Sequence, residues 1–150
     1  MKLTIQSTFP CEARRLFAEV LQSRSLHYVT KPLIRFKAVE APLPNTWKDG
    51  KYLVKMYLFN VIYLGKQWIN IHVNGEEQEL LDAGSGQLIT KWHHLIRVQE
   101  SAEQQTDYTD IIDIEAGWLT PFVVAFAYIF YHYRQRRWRR LIHHQFDYKQ

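Results

Sequence analysis

Cysteine is nearly absent from this sequence, and the short motifs of several chemistries are missing altogether. Cys11 is the single cysteine, so no disulfide forms within the chain and no CxxC pair exists. No base neighbours Cys11 in the sequence, so nothing marks it as a nucleophile. The sequence also lacks a Gly-rich phosphate loop and an HExxH pattern. These absences exclude the sites that such motifs form, and we predict neither a metal nor a cofactor.

A secretory signal is also missing. Residues 1–15 lack the basic and then apolar layout of such a signal. A lone cysteine fits a reducing compartment. We therefore expect a cytoplasmic protein.

Aromatic residues, in contrast, are abundant. The 150 residues include five Trp, nine Tyr and eight Phe, or 15% of the chain, which predicts that a wide apolar space is lined or filled. A chain of this length has the usual size of one domain and buries about 70% of its unfolded surface. We therefore predict one domain over residues 1–150.

Positive charge is concentrated near the C-terminus. The net charge is +4, and five arginines fall within residues 134–140: Arg134, Arg136, Arg137, Arg139 and Arg140. Such a cluster is typical of a patch that contacts nucleic acid or an anionic membrane. It is equally typical of the solvated end of a helix, where the helix dipole favours cations. We favour the helix end, expect no nucleic-acid partner, and keep transient contact with an anionic membrane as an alternative.

The first third of the chain predicts a strand followed by helix. Residues 2–7 alternate in polarity, as a half-buried strand does. Helix signals follow, with Thr8 as a candidate N-cap, Pro10 in the first turn and Glu12 near the positive end of the dipole. A stripe at helical spacing then predicts a helix of about four turns that lies on a sheet; it consists of Ala13, Leu16, Phe17, Val20 and Leu21. A weaker segment, residues 24–31, predicts one short helical turn before Pro32.

From Leu33 onward the period changes to two, which predicts six further strands. The residues predicted to face inward are Ile34, Phe36, Ala38, Tyr52, Val54, Met56, Leu58, Ile69, Ile71, Val73, Thr90, Trp92, His94, Ile96, Val98, Tyr108, Asp110, Ile112 and Ile114. The Asn74-Gly75 pair suits a tight hairpin turn. A short strand is predicted over residues 79–82, a turn at residues 84–86, and a polar loop over residues 100–105.

The longest apolar run, residues 118–133, follows Gly117 and continues into the arginine cluster. A membrane anchor with a basic flank is one interpretation, but a spanning helix needs about 20 apolar residues. The run is shorter, and its amphipathic pattern continues through Trp138, Leu141 and Ile142. We therefore favour one long C-terminal helix covered by the sheet.

The order of strand, helix, antiparallel strands and long C-terminal helix is the layout of the helix-grip fold. Residues 88–94 (LITKWHH), 108–110 (YTD) and 130–134 (FYHYR) resemble the ligand-binding branch of the START-like (SRPBCC) superfamily. That superfamily includes birch-pollen-allergen-like and polyketide cyclase-like proteins. The resemblance implies an α+β fold of order β-α-β6-α, with a curved antiparallel sheet of about seven strands around the last helix. It also implies a cavity between the two that binds a lipid, a hormone or a polyketide, or that performs chemistry.

His94 and Asp110 are the candidate catalytic residues. His93 and His94 are adjacent on a strand, so they point to opposite faces and cannot bind one metal together. His94 either orients a ligand or shuttles a proton, or it is a partly buried histidine bonded to backbone or water. Asp110 needs a partner if it is ionised on the inward face. Arg134, Arg137 or His94 are the candidates for that partner.

Asp110 itself has three interpretations: one half of a structural ion pair, a general base in a cyclase-like reaction, or a surface residue misplaced by one position. On the last helix, Trp118, Phe122, Phe126, Ile129, Phe130 and Tyr133 have helical spacing and form either core or pocket wall. The full set predicted to bind a ligand is Phe36, Val54, Met56, Leu58, Ile71, Trp92, His94, Ile96, Asp110, Ile112, Phe122, Phe126, Ile129, Phe130 and Tyr133.

Three functions remain open from the sequence. We expect binding, transport or sequestration of a hydrophobic small molecule or lipid-like ligand. A cyclase or dehydratase acting on an apolar substrate is the second hypothesis, and it requires two polar groups that converge on one ligand atom. An interaction module that uses the basic tail is the third, and its binding would fall steeply with salt.

Overall fold

The structure, a computed structural model, describes residues 1–149. Within that range the strands are β1 (Lys2–Phe9), β2 (Ile34–Ala38), β3 (Gly50–Leu58), β4 (Ile62–Asn74), β5 (Glu79–Gly86), β6 (Lys91–Ala102) and β7 (Gln105–Glu115). The helices are α1 (Ala13–Val20), α2 (Ser23–Thr30) and α3 (Thr120–His143), and a 3-10 turn (Gly117–Leu119) precedes α3.

The strands form one antiparallel sheet in the order β1-β7-β6-β5-β4-β3-β2. Strands β2 to β7 follow one another as an antiparallel meander. Strand β1 pairs with β7, so the first and the last strand in the sequence are neighbours in the sheet. The sheet is curved and α3 lies in its concave side. The α+β helix-grip fold with seven strands is therefore confirmed.

One face of helix α3 is buried against the sheet. Its buried residues are Ala127, Phe130, Tyr131, Arg134, Gln135, Trp138, Leu141 and Ile142. Near the C-terminal end, Trp138 and Leu141 join a core with Phe9, Val98 and Tyr108. The C-terminal half of α3, which carries the arginine cluster, is therefore packed against this core. No helix within residues 1–149 has the length and apolar character needed to cross a membrane.

The helical region after β1 differs from the prediction. Thr8 belongs to β1, where its hydroxyl donates to Asp107 Oδ1 at 2.9 Å, and Glu12 occupies the N-cap position without a side-chain cap. Helix α1 has eight residues, not four turns. It ends because Gln22 is extended and forms an isolated bridge with Thr46, and α2 then forms a second helix where a single turn was predicted.

The predicted turn at residues 84–86 is wrong, because β5 continues through both glycines. Gly84 pairs with Trp92 and Gly86 pairs with Gln67. A Cβ on Gly84 would lie 3.0 Å from two backbone oxygens, and one on Gly86 would lie 2.2 Å from Gln67 Oε1 and 2.8 Å from Lys66 O. These glycines therefore allow close approach to a neighbouring strand and do not mark a turn.

The two other predicted connections also differ. The hairpin after Asn74 spans residues 75–78, with Gln78 at φ 52°, in place of a two-residue Asn-Gly turn. Strands β6 and β7 extend into the predicted polar loop, so that Ala102 pairs with Gln105 and only residues 103–104 form the turn. Long antiparallel pairing overrides the polar composition there, because strand hydrogen bonds need no apolar side chain.

Gly86→Ala tests the close approach in β5. The new methyl group overlaps Gln67 and the Lys66 carbonyl, so we expect the free energy of unfolding to fall by about 1–3 kcal/mol. Gly75→Ala is the matched control, since a Cβ there meets no atom within 4 Å, and it should change stability by less than about 0.5 kcal/mol. Urea unfolding measures both, and equal stabilities for the two variants would contradict the strand assignment.

Candidate functional site

A cavity of about 380 Å³ lies between the concave face of the sheet and α3. Strands β2 to β6 supply one wall, and α2 and α3 supply the other. The lining residues are Val20, Ser25, Leu26, Ile34, Phe36, Trp47, Met56, Leu58, Leu64, Gln67, Ile69, Ile71, Leu80, Asp82, Leu88, Ile89, Trp92, His94, Ile96, Leu119, Phe122, Val123, Phe126, Phe130, Tyr131, Arg134 and Trp138. The wall is mainly apolar, with a few polar side chains among aliphatic and aromatic ones.

Alternation along the strands brings most of the predicted residues to this wall. Each inward residue lies two positions from the next, so a strand with an apolar inward set lines the cavity along its length. The predicted ligand-binding residues that lie on the wall are Phe36, Met56, Leu58, Ile71, Trp92, His94, Ile96, Phe122, Phe126 and Phe130.

Five predicted residues lie elsewhere. Val54 and Ile112 are fully buried in the surrounding core, and Asp110 lies behind His94. Ile129 is 65% exposed on the outer side of α3. The Tyr133 hydroxyl donates to the Lys31 carbonyl at the edge of α2.

The placement of Ile129 and Tyr133 on the inner face was wrong because helical spacing alone leaves the phase of a helix open. A residue one position away turns about 100° around the axis. Trp118 is 81% exposed because it lies in the 3-10 turn before α3, where helical spacing does not apply.

Sequence reasoning also missed several wall residues on α3. The inner row continues at every fourth position from Phe122, Phe126 and Phe130 to Arg134 and Trp138. That spacing was visible in the sequence. The charge hides it, because Arg134 also belongs to the arginine cluster that favours a solvated helix end, although it is a candidate partner of Asp110 as well.

A buried hydrogen-bond network lies directly behind the cavity wall. His94 Nε2 donates to Asp110 Oδ1 at 2.6 Å, and Gln135 Nε2 donates to Asp110 Oδ2 at 2.9 Å. The Tyr108 hydroxyl lies 3.3 Å from Asp110 Oδ1. Gln135 also donates to the Ile5 carbonyl at 2.9 Å. The predicted need of Asp110 for a partner is therefore met by His94 and not by an arginine ion pair.

The network fixes the ionisation of both groups. Burial alone raises the pKa of Asp110, but the hydrogen bond from His94 and the nearby Arg134 charge together lower it. Burial lowers the pKa of His94, and the bond to Asp110 offsets this only in part. Asp110 is therefore an ionised acceptor and His94 is neutral with its proton on Nε2, so Nδ1 is an acceptor.

Asp82 is a second carboxyl group on the cavity wall. Burial raises its pKa from 3.8 to about 7, against the lowering effects of the Asn70 N–H bond and of Arg134. Asp82 Oδ1 accepts that N–H at 2.8 Å. The cavity therefore contains a carboxyl group that changes its protonation near neutral pH.

The five arginines do not form one surface. Arg134 is 5% exposed and lines the cavity. Arg137 donates to the Tyr28 carbonyl at 3.2 Å, and Arg139 lies 5.3 Å from the centre of the Phe9 ring. Of the five, only Arg136, Arg139 and Arg140 are exposed, and a membrane contact through the five arginines stays a prediction.

Within residues 1–149, no group of three or more His, Cys, Asp or Glu is placed to hold a metal ion.

Asp82→Asn tests the raised pKa. Between pH 3.8 and about 7, the folded chain holds the Asp82 proton more tightly than the unfolded chain does, so stability falls as the pH rises through this range. The asparagine removes that loss and keeps an oxygen for the Asn70 N–H. We therefore expect the stability of the variant relative to wild type to increase as the pH rises from 5 to 8.

Urea unfolding at several pH values measures this difference. Asp49→Asn is the matched control, because Asp49 also accepts a backbone N–H, from Val73 at 2.8 Å, but is exposed. A wild-type to Asp82→Asn difference that does not change with pH would contradict the placement of Asp82 in an apolar wall.

Comparison with solved structures identifies the fold. A START superfamily protein from Mycobacterium smegmatis superposes with a TM-score of 0.72 at 11% identity, covering 96% of this chain and 98% of that one. A protein from Chromobacterium violaceum gives a TM-score of 0.72 at 10% identity, covering 94% and 96% of the two chains. An aromatase/cyclase from a Streptomyces species gives 0.56 at 8% identity, covering 78% and 70%.

Sequence comparison gives no comparable match. No protein-family model matches the chain, and no curated protein matches it. At these identities the likeness carries the fold and not the function. The element order, the single sheet gripping α3 and these superpositions together show that the chain has the START-like (SRPBCC) fold.

Proposed function

We propose that this chain, as one domain over residues 1–150, binds a hydrophobic small molecule or a lipid-like ligand between the sheet and α3. The observation that carries the proposal is the cavity of about 380 Å³ with its mainly apolar wall. This volume lies within the range of small-molecule pockets, which are typically concave and apolar with few polar groups.

Energetics favour an occupied cavity. Native cores are close-packed, and wall atoms that face a void lose their dispersion contacts. A ligand that buries apolar surface against Ile71, Ile96 and Phe126 regains about 25 cal/mol per Å² of apolar area removed from water. The wall therefore supplies a driving force that needs no specific polar contact.

Met56→Trp tests whether the cavity holds the ligand. The indole takes up space at the wall, so we expect affinity for N-phenyl-1-naphthylamine, a neutral fluorescent apolar probe, to fall about tenfold or more. Tyr57→Trp is the matched control, because Tyr57 follows on β3, is not among the wall residues, and packs on Tyr63. Fluorescence titration measures both variants.

Absence of probe uptake by the wild-type protein would contradict the proposal. Equal affinity in the wild-type protein and Met56→Trp would contradict the location of the site. Circular dichroism of each variant establishes that the fold is retained.

An enzyme of cyclase or dehydratase type is the second candidate. Its specific support is the His94–Asp110 pair, in which Asp110 positions a neutral imidazole on the cavity wall. Asp82 is a second titratable group on the same wall, so a base and an acid are available. The aromatase/cyclase among the similar structures has the same fold. Asp110 itself lies behind His94, so its role in such a reaction would be to position His94.

His94→Ala separates the two candidates. If the cavity is only a container, the variant should keep its affinity for the neutral probe within about twofold, because the imidazole contributes little apolar area and Gln135 and Tyr108 still donate to Asp110. Turnover of a polyketone substrate by the wild-type protein, lost in His94→Ala while probe binding is retained, would instead establish the enzyme. Gln67→Ala is the control for removal of another polar wall residue.

A further inference from the structure

Arg134 is a buried cation on the cavity wall without a carboxylate partner. It is 5% exposed, and its Nε has no hydrogen-bond partner. Across residues 1–149, the ion pairs include none with Arg134. Burying a charge without a counterion is costly, so a ligand group that pairs with this side chain would be stabilising.

The nearby groups hold Arg134 in place but do not neutralise it locally. Its guanidinium carbon lies 5.0 Å from the centre of the Tyr131 ring and 5.8 Å from that of Phe130. Burial lowers the pKa of Arg134, but the neighbouring tyrosines and Asp110 outweigh burial and raise it. The guanidinium is therefore charged and supported by aromatic rings.

The two nearest carboxyl groups are already engaged. Asp110 accepts hydrogen bonds from His94, Gln135 and Tyr108. Asp82 accepts the Asn70 N–H and is protonated in part at neutral pH. Arg134 Nε therefore keeps an unpaired N–H, and the guanidinium on the cavity wall has no carboxylate partner within the protein.

We propose that Arg134 anchors the head group of the ligand, and that the ligand is an apolar molecule carrying one carboxylate. The planar guanidinium matches a carboxylate with two parallel N–H···O bonds, and the rest of the wall takes the apolar body. This inference rests on the proposed binding function and narrows its ligand class. It also gives one arginine of the cluster a role distinct from that of a solvated helix end.

A comparison of decanoate with decanol tests the proposal in the wild-type protein. The two share an apolar chain and differ in the head group, so calorimetry isolates the contribution of the charge. We expect decanoate to bind about tenfold or more tightly than decanol at pH 7, because a hydrogen bond to a charged group is worth that much. Equal affinities would overturn the proposal.

Arg134→Met locates the anchor. Methionine keeps an unbranched apolar side chain and removes the charge, so decanoate affinity should fall about tenfold or more while decanol affinity stays within about twofold. Arg136→Met is the matched control, since it removes one charge from an exposed position on the same helix, and it should change neither affinity. A preference for decanoate that survives in Arg134→Met would overturn the assignment.

The outcomes separate this inference from the proposed function. Decanol binding without a preference for decanoate refutes the anchor and leaves the apolar site standing. Failure of decanoate, decanol and N-phenyl-1-naphthylamine to bind refutes the site itself. If Arg134→Met does not fold, Arg134→Lys replaces it: lysine keeps the charge but not the two parallel N–H donors, so decanoate affinity should fall while decanol affinity does not, and an unchanged decanoate affinity would overturn the assignment.

Discussion

The hydrogen bonds to the Asp110 carboxylate fasten α3 to the sheet, and the position of the cavity depends on them. Gln135 on α3, His94 on β6 and Tyr108 on β7 all reach this one fully buried group. Leaving such a charge unpaired would cost about 3–5 kcal/mol, so the network sets where α3 lies along the sheet. On one side of it, Leu141 is fully buried in core, whereas on the other Phe122 is 68% exposed at the cavity edge.

The same network also determines which polar groups face the cavity. By taking both oxygens of Asp110, it keeps the carboxylate out of the cavity and holds His94 in one orientation on the wall. Asp82 and Arg134 complete a polar region in an otherwise apolar space, and the Arg134 charge acts to lower the pKa of Asp82, of His94 and of Asp110. A cavity of this kind binds apolar molecules through its wall and distinguishes among them by their polar ends.

Much of the sheet follows from the sequence. Period-two alternation predicts the inward residues of β3, β4 and β6, and register then carries them to one concave wall. The partner of Asp110 was also predictable as one of three, because an inward carboxylate requires one. These features depend on local patterns repeated over several residues, which a single sequence shows directly.

The features that escaped prediction depend on contacts between distant segments. Gly86 looks like a turn residue, and only the neighbouring atoms of Gln67 and Lys66 explain why the strand needs a glycine there. The rotation of α3 about its axis turns Gln135 toward Asp110, which leaves Ile129 on the exposed face. Arg134 was grouped with its charged neighbours in sequence, whereas the helix turns it alone toward the cavity.

A crystal structure determined under xenon pressure shows whether an apolar void lies between the sheet and α3, because xenon enters such voids and scatters strongly. We expect xenon between the inner face of α3 and strands β4, β5 and β6, near Phe126 and Ile96, with the Asp110 hydrogen bonds intact. A closely packed interior without xenon at that place, or an α3 released from Asp110, would contradict it.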